Sequence, residues 1–317
     1  MQHRINRAIE LLAQDQAIYY VGHHSGHVLS FAQGREDANT WADYINVGME
    51  HGAFDLAGLA EYMRGLVAGG PTNSGHRTPA VIVEVPVRGT DAAGVSANTW
   101  QVRQILARGV HGLLLCQAES AAAVRHFVEA ARYPVHRIGV DPRLPTPLER
   151  MRGAKLAVHN GDDAQGLGVG SRGLGSEATA AAIWDLSAAD YIERCDSWPL
   201  NRAGELLLGV KIESPEGIAN CEAILAVPGL GFAEMGPGDL GLALGYRSVP
   251  RDPYPPEMQE ARARVFAAAR RNGLAYLEVC TPANIKRKLD EGVRIVAGQQ
   301  EETAILGRAH QKRVMPA

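Results

Sequence analysis

Two carboxylates, Glu213 and Asp239, are placed where they could do chemistry together. They belong to the stretch VKIESPEGIANCEAILAVPGLGFAEMGPGDLGLALG, in which Glu213 ends one apolar run and Asp239 lies just past the next. Val210 to Ile212 reads as a buried strand, Ser214 to Leu225 as a helix opened by a Ser-Pro cap, and Gly231 to Met235 as the following strand. If the strands are parallel neighbours, about 5 Å apart, both carboxylates leave the same rim and can share one hard cation. Magnesium or manganese suits that donor set, because such ions take one or two carboxylates and fill their other positions with water and substrate oxygens. The turn Gly236-Pro237-Gly238-Asp239 adds a second property: its small residues let backbone N–H groups, Gly238 among them, approach a bound anion.

Histidines supply candidate acid–base groups at the same rim. His51 follows the apolar run from Tyr44 to Val47, and His23 and His24 follow the run from Ile18 to Val21, so one of the latter pair can bind substrate or move protons. His23 and His27 are spaced H-x-x-x-H, but in a Gly-flanked loop rather than on a helix, which counts against a zinc site.

The elements that must hold these groups are eight short apolar runs: Ile18–Val21, Tyr44–Val47, Ala80–Val85, Gly112–Cys116, Gly209–Ile212, Gly231–Met235, Ala275–Val279 and Arg294–Ala297. Most are followed by a helical pattern, and eight such units predict an α/β fold closed as a (β/α)8 TIM barrel, with functional residues at the carboxyl ends of its strands. Asn6 to Gln14 reads as a leading helix capped by Asn6. Phe31 to Thr40 and Asp141 to Gly170 exceed a minimal barrel and read as insertions over the active-site face, within a single domain covering residues 1–317.

With these residues assigned, the segment around Glu213 and Asp239 resembles the signature of the HpcH/HpaI aldolases, metal-dependent pyruvate aldolases. Gly48-Met49-Glu50-His51-Gly52 resembles that family's histidine motif, and Ser171-Arg172-Gly173-Leu174-Gly175-Ser176 resembles the loop before its fifth strand. The resemblance implies that Glu213 and Asp239 hold a divalent cation, Mg2+ or Mn2+, and that His51 is the catalytic base. It also implies a carbon–carbon lyase that cleaves or forms an aldol between a small oxo acid such as pyruvate and an aldehyde. Hexameric relatives make a homo-oligomer the expectation, with the apolar stretch from Ala304 to Leu306 as a contact.

Three positions depart from the resemblance. Glu84, in Glu84-Val85-Pro86, stands where relatives carry an Arg that grips the pyruvate carboxylate, and a carboxylate cannot donate those paired hydrogen bonds. Arg88 or Arg172 is then required to supply the charge, with Gly238 and Asp239 backbone amides sharing the load. Ala107 replaces an Asp expected to assist the histidine, and Lys211 replaces a Gln. Lys211 reads either as the ion-pair partner of Glu84 or as a substrate-binding or Schiff-base lysine. A lyase acting on a different metal-chelating substrate and a non-catalytic barrel therefore stay open as alternatives.

Composition agrees with an enzyme of this kind. A 317-residue chain that is 46% apolar can bury a large core, and a formal net charge of −3 without a basic block speaks against nucleic acid as a partner. The absence of an 18-residue apolar span and of a signal-peptide pattern predicts a cytoplasmic protein without membrane contact. Cys116, Cys195, Cys221 and Cys280 are widely spaced and read as reduced, buried thiols.

Overall fold

All eight predicted runs are strands in the computed structural model of the chain, which describes residues 4–154, 166–297 and 300–316. Among the described residues the strands are β1 (Ile18–His23), β2 (Tyr44–Gly48), β3 (Ala80–Val85), β4 (Gly112–Leu115), β5 (Ser197–Trp198), β6 (Leu206–Ile212), β7 (Phe232–Met235), β8 (Ala275–Val279) and β9 (Val293–Ala297). Every pairing is parallel. The order β4-β3-β2-β1-β9-β8-β7-β6 closes on itself through β4 and β6, giving an eight-stranded barrel, while the two-residue β5 adds to the start of β6. Their near-continuous burial explains why these strands read as apolar runs rather than alternating ones: side chains pack inward on the barrel axis and outward on helices.

The barrel interior is filled by Tyr20, Tyr44, Ile82, Leu114, Leu207, Phe232, Leu277 and Ile295, in one cluster with Ala8, Ile9 and Leu11. The leading helix Arg7–Leu12 therefore plugs the floor, the end where the strands begin. Asn6 fixes it there: its side chain accepts from the Ala8 and Ile9 amides and donates to the carbonyls of His111 and Glu205. Helices that return from the opposite rim start on side-chain caps, at Asp55, Asp91, Ser120 and Ser214.

The floor also carries a buried ion cluster. Asp43 is fully buried, receives two hydrogen bonds from Arg313 at 2.8 and 2.6 Å and one from the Tyr19 amide, and lies 2.9 Å from Arg7 and 3.4 Å from Arg308. Burial opposes its charge, but Arg313, Arg7 and Arg308 outweigh that and hold its carboxyl below the ordinary range.

The expected insertion at Phe31 to Thr40 needs correction, and so does the placement of the described parts of 141–170, residues 141–154 and 166–170, over the active-site face. Phe31–Asp37 is the helix that connects β1 to β2. It packs so closely on the helix Leu56–Gly69 that a Cβ on Gly34 or Gly65 would meet the other helix's backbone. The segment expected at 141–170 leaves the floor end of the helix Ala121–Ala131, away from the rim, and is tied there by Asp141 to Leu167 and by Arg172 to the Arg132 carbonyl. Its residues 155–165 lie outside the described ones. The four cysteines are buried and free. Among the described residues no helix is long and apolar enough to cross a membrane.

Candidate active site

The apolar interior ends one layer below the rim, and the period-2 alternation of each strand then brings charged residues inward. On β3 the inward Ile82 is followed by Glu84, on β6 Leu207 by Gly209 and Lys211, on β7 Phe232 by Glu234, and on β2 Tyr44 by Asn46 and Gly48. Register sets Gly48 beside Glu84 and Lys211 beside Glu234, so these groups share one level of the barrel mouth. Glu50, His51, Glu213 and Asp239 stand just above, past the strand ends.

Lys211 is the buried cation of this layer. Its Nζ is 3.5 Å from Glu84 Oε2 and 3.9 Å from Glu50 Oε2. Burial works against its charge, yet Cys116, Glu234, Glu84 and Glu213 outweigh it and raise the ammonium well above its ordinary range. A lysine held protonated is a counter-ion, not a nucleophile, which disfavours the Schiff-base reading. Glu84, also buried, accepts from Asn46 Nδ2 at 2.8 Å and contacts His24 Nδ1 at 2.5 Å. Despite burial, His24 and Lys211 lower its carboxyl to about 2, and the Glu84 hydrogen bond raises His24 against the effect of burial. Glu84 Oε1 is thus taken by His24 and Asn46, while Oε2 has no hydrogen bond among the described residues and faces Lys211 at 3.5 Å.

The remaining carboxylates have fewer or longer contacts. Glu50, His51 and Asp239 offer ligand atoms all within 4.8 Å of one another, with His51 Nε2 at 3.4 Å from Glu50 and 3.8 Å from Asp239. Glu50 Oε2 is buried with no hydrogen-bond donor among the described residues, as is Glu234 Oε2. Glu213 joins the group through Gln117, whose backbone N–H donates to Glu213 Oε1 at 2.8 Å while its side-chain amide reaches Asp239 Oδ2 at 3.5 Å. Gln117 does this from a left-handed backbone, φ 47°, a conformation that costs a non-glycine residue on the order of 1 kcal/mol or more. Burial, reinforced by Glu50 and Glu234 against Lys211 and the Gln117 amide, pushes the Glu213 carboxyl up to about 8. Oxygen donors of this kind, one orphaned and one driven to protonation by burial, fit a hard divalent cation, which would restore the charge that burial penalises. Gly236 keeps the space for them: a Cβ there would run into Glu213 Oε2 and lie 2.8 Å from Glu213 Cβ.

The other expected residues are scattered. Gly238 lies in the first turn of the helix Pro237–Ala243 beside Asp239, with open space around it. Arg88, on the loop after β3, is exposed and has no hydrogen bond or ion pair among the described residues. Arg172 is not at the mouth: it is buried on the floor side, donating to Tyr191 and Cys195 with its guanidinium over the Tyr133 ring. It is therefore unable to serve the rim. Ala107 ends the helix Ala92–Leu106, also at the floor, away from His51 of the same chain. His23 is exposed at the end of β1, and alternation turns the next residue, His24, inward instead. His27 is engaged by Asp37 and Tyr62. Sequence reasoning missed Glu50 and Gln117 as parts of the site. Glu50 was visible, since it shares its short post-strand segment with His51, whereas the contribution of Gln117 depends on a backbone angle no pattern announces.

A profile of the HpcH/HpaI aldolase/citrate lyase family matches residues 76–301, a span that includes Glu84, Lys211, Glu213 and Asp239 but begins after Glu50 and His51. Among curated proteins, a hydroxypyruvate/pyruvate aldolase from Pseudomonas aeruginosa is 28% identical over 224 residues, 71% of this chain and 61% of that protein. A protein of the same name from Paraburkholderia phytofirmans is 24% identical over 261 residues, 82% of this chain and 79% of that one. The chain thus spans about three fifths of the length of the Pseudomonas relative. Among solved structures, an HpcH/HpaI aldolase/citrate lyase family protein from Burkholderia cenocepacia has the same fold, with a TM-score of 0.64 over 97% of each chain at 22% identity.

Proposed function

Since the chain belongs to the HpcH/HpaI aldolase/citrate lyase family, we propose that it is a metal-dependent carbon–carbon lyase. It would cleave or form an aldol between a 2-oxo acid such as pyruvate and an aldehyde. The observation that carries this reading is the gathering of Glu50, His51 and Asp239 within 4.8 Å at the barrel mouth, with Glu213 joined to them through Gln117. Glu213 and Asp239, with Glu50 beside them, would hold Mg2+ or Mn2+. When bound, that cation supplies Lewis-acid stabilisation of the negative charge that develops on the oxo acid, a contribution of several kcal/mol.

The chain's own residues do the rest. His51, half-exposed between Glu50 and Asp239, takes the proton of the substrate hydroxyl as the carbon–carbon bond breaks, a contribution of roughly 10²–10⁴ in rate. Lys211 neutralises the buried carboxylates around it and lets them be packed at one level. Arg88 is the guanidinium near the mouth left to meet a substrate carboxylate, because Glu84 is occupied and Arg172 is at the floor. Turnover of pyruvate with a panel of aldehydes, with Mg2+ or Mn2+ added and then chelated, tests the assignment. No metal-dependent product with any oxo acid would overturn it.

A second reading, a lyase on another metal-chelating substrate, is favoured by the same commitment of Glu84 to His24, Asn46 and Lys211. Strong competition by oxalate supports the oxo-acid reading, and indifference to oxalate supports this one. The proposal includes a cytoplasmic homo-oligomer, with the half-exposed Ile305 as a contact while Ala304 packs on its own barrel. Light scattering tests the mass.

A further inference from the structure

An aldol cleavage moves two protons, and they belong to different atoms. One leaves the substrate hydroxyl as the carbon–carbon bond breaks; the other must then arrive at the carbon that has kept the electron pair, C3 of the oxo acid. Two imidazoles enter this mouth, from adjacent strands and held by separate carboxylates. His51 follows β2 and lies against Glu50 and Asp239. His24 follows β1 and is bound through Nδ1 to Glu84 at 2.5 Å.

Resting on the aldolase reading, we propose that His24 is a second catalytic acid–base residue, positioned by Glu84, which delivers the proton to C3 in cleavage and removes it in aldol formation. The pair is built as such a device. Glu84 is 1% exposed and held by Asn46 at 2.8 Å and Lys211 at 3.5 Å, so the carboxylate that orients the imidazole is itself oriented. Reach depends on Gly48: in register beside Glu84 and without a side chain, it lets His24 cross over β2 to the β3 carboxylate. With Nδ1 committed, Nε2 is left with no partner among the described residues, on a side chain that is 47% exposed. A carboxylate on one nitrogen fixes the tautomer and leaves the other free to exchange protons. Of the charged groups around the ring, Glu84 and Glu234 favour its protonated form and Lys211 opposes it, and Glu84 is the nearest.

The step balances without any further reactant. The carbon–carbon bond breaks with its electron pair left on the oxo-acid fragment, the hydroxyl proton passes to His51, and the Nε2 proton of His24 passes to C3, completing the methyl group. The two histidines then exchange their protons with solvent through their exposed edges.

The test separates the two protons. In D2O with Mg2+ or Mn2+ and no aldehyde, exchange of the pyruvate methyl hydrogens is followed by proton NMR, and aldol cleavage is measured in parallel. His24→Asn should slow exchange by about 100-fold or more, in the range of general acid–base catalysis, while metal affinity stays within about twofold. Glu84→Gln should slow exchange as well. His51→Asn should depress cleavage more than exchange, the reverse order. Because Glu84 is buried, melting curves accompany both variants, and the half-exposed His24 variant decides the outcome. Exchange at the wild-type rate in folded His24→Asn overturns the role of His24 alone. Wild-type protein that neither exchanges methyl hydrogens nor cleaves an oxo-acid aldol overturns the aldolase reading and this role together.

Discussion

Replacing Gly236 by Ala isolates the packing that holds Glu213. The backbone there, φ −74° and ψ 102°, suits any L residue, so the substitution carries no backbone penalty and on its own favours folding by about 0.4–1 kcal/mol. The new methyl would meet Glu213 Oε2, Glu213 Cβ at 2.8 Å and Lys211 Cδ at 2.9 Å. Moving only the carboxylate tip does not clear the Cβ contact, so the whole side chain must shift, and the hydrogen bond from the Gln117 amide at 2.8 Å is lost. A buried group left without its partner costs about 1–3 kcal/mol, more than the gain, so a net loss of about 1–2 kcal/mol is expected, small enough for the protein to stay folded. The site should not be spared: losing the support that orients a metal ligand typically costs about 10- to 100-fold in affinity. Calorimetric titration of chelator-treated protein with Mn2+, beside a melting curve, measures both. Wild-type affinity for Mn2+ in a folded Gly236→Ala protein would refute the placement of Glu213 in the ion's coordination.

Arg88→Met should raise KM for the oxo acid by roughly 10- to 150-fold with kcat little changed, the effect of losing one charged contact, and an unchanged KM would remove Arg88 from substrate binding. With the Glu213 carboxyl at about 8, a cation displaces its proton; Mn2+ affinity should therefore climb about tenfold per pH unit from pH 6 to 8 and then level off. Glu213→Gln should flatten that slope; a pH-independent affinity in the wild type refutes the linkage. His111, buried at the floor with Nδ1 accepting the Val81 amide, is pushed down to about 3 by burial and by His76. The unfolded chain then takes up a proton below about 6.5 that the folded one does not, so stability falls as pH drops, by about 2 kcal/mol between pH 7 and 5. Urea midpoints of wild type and His111→Asn measure this, and equal pH slopes in the two proteins would exclude His111 as the cause.

The barrel was legible because parallel strands buried on both faces must be continuous apolar runs, and all eight runs became strands. The ion pair of Glu84 with Lys211 was legible too, from two charges expected in one layer of the barrel, and they stand 3.5 Å apart. What failed was direction. His23 and His24 are equivalent as letters, and only the pleat of β1 decides which one meets Glu84. Arg172 lies in a Gly-rich segment that resembles an active-site loop, but the chain reaches it after the helix Ala121–Ala131 has returned to the floor. The described ends of the segment 141–170 lie at the floor for the same reason, since a long loop does not announce the end of the barrel from which it leaves. Ala107 likewise falls at the far end of its helix.

The arginines around Asp43 have a consequence for how the chain is made. During synthesis, Asp43 emerges from the ribosome long before Arg308 and Arg313 do. Until then Arg7 alone can answer its charge, and a lone buried pair is a weak reason to bury either group. The first strands therefore have little incentive to settle before residues 308–313 are available. A ribosome stalled short of residue 308 should hold a nascent chain that proteases cut readily near β1 and β2, and release of the remaining residues should protect it in one step. Asp43 ties the first strands to residues near 308–313 at the face farthest from the chemistry, and commitment to the native barrel is expected to follow their arrival.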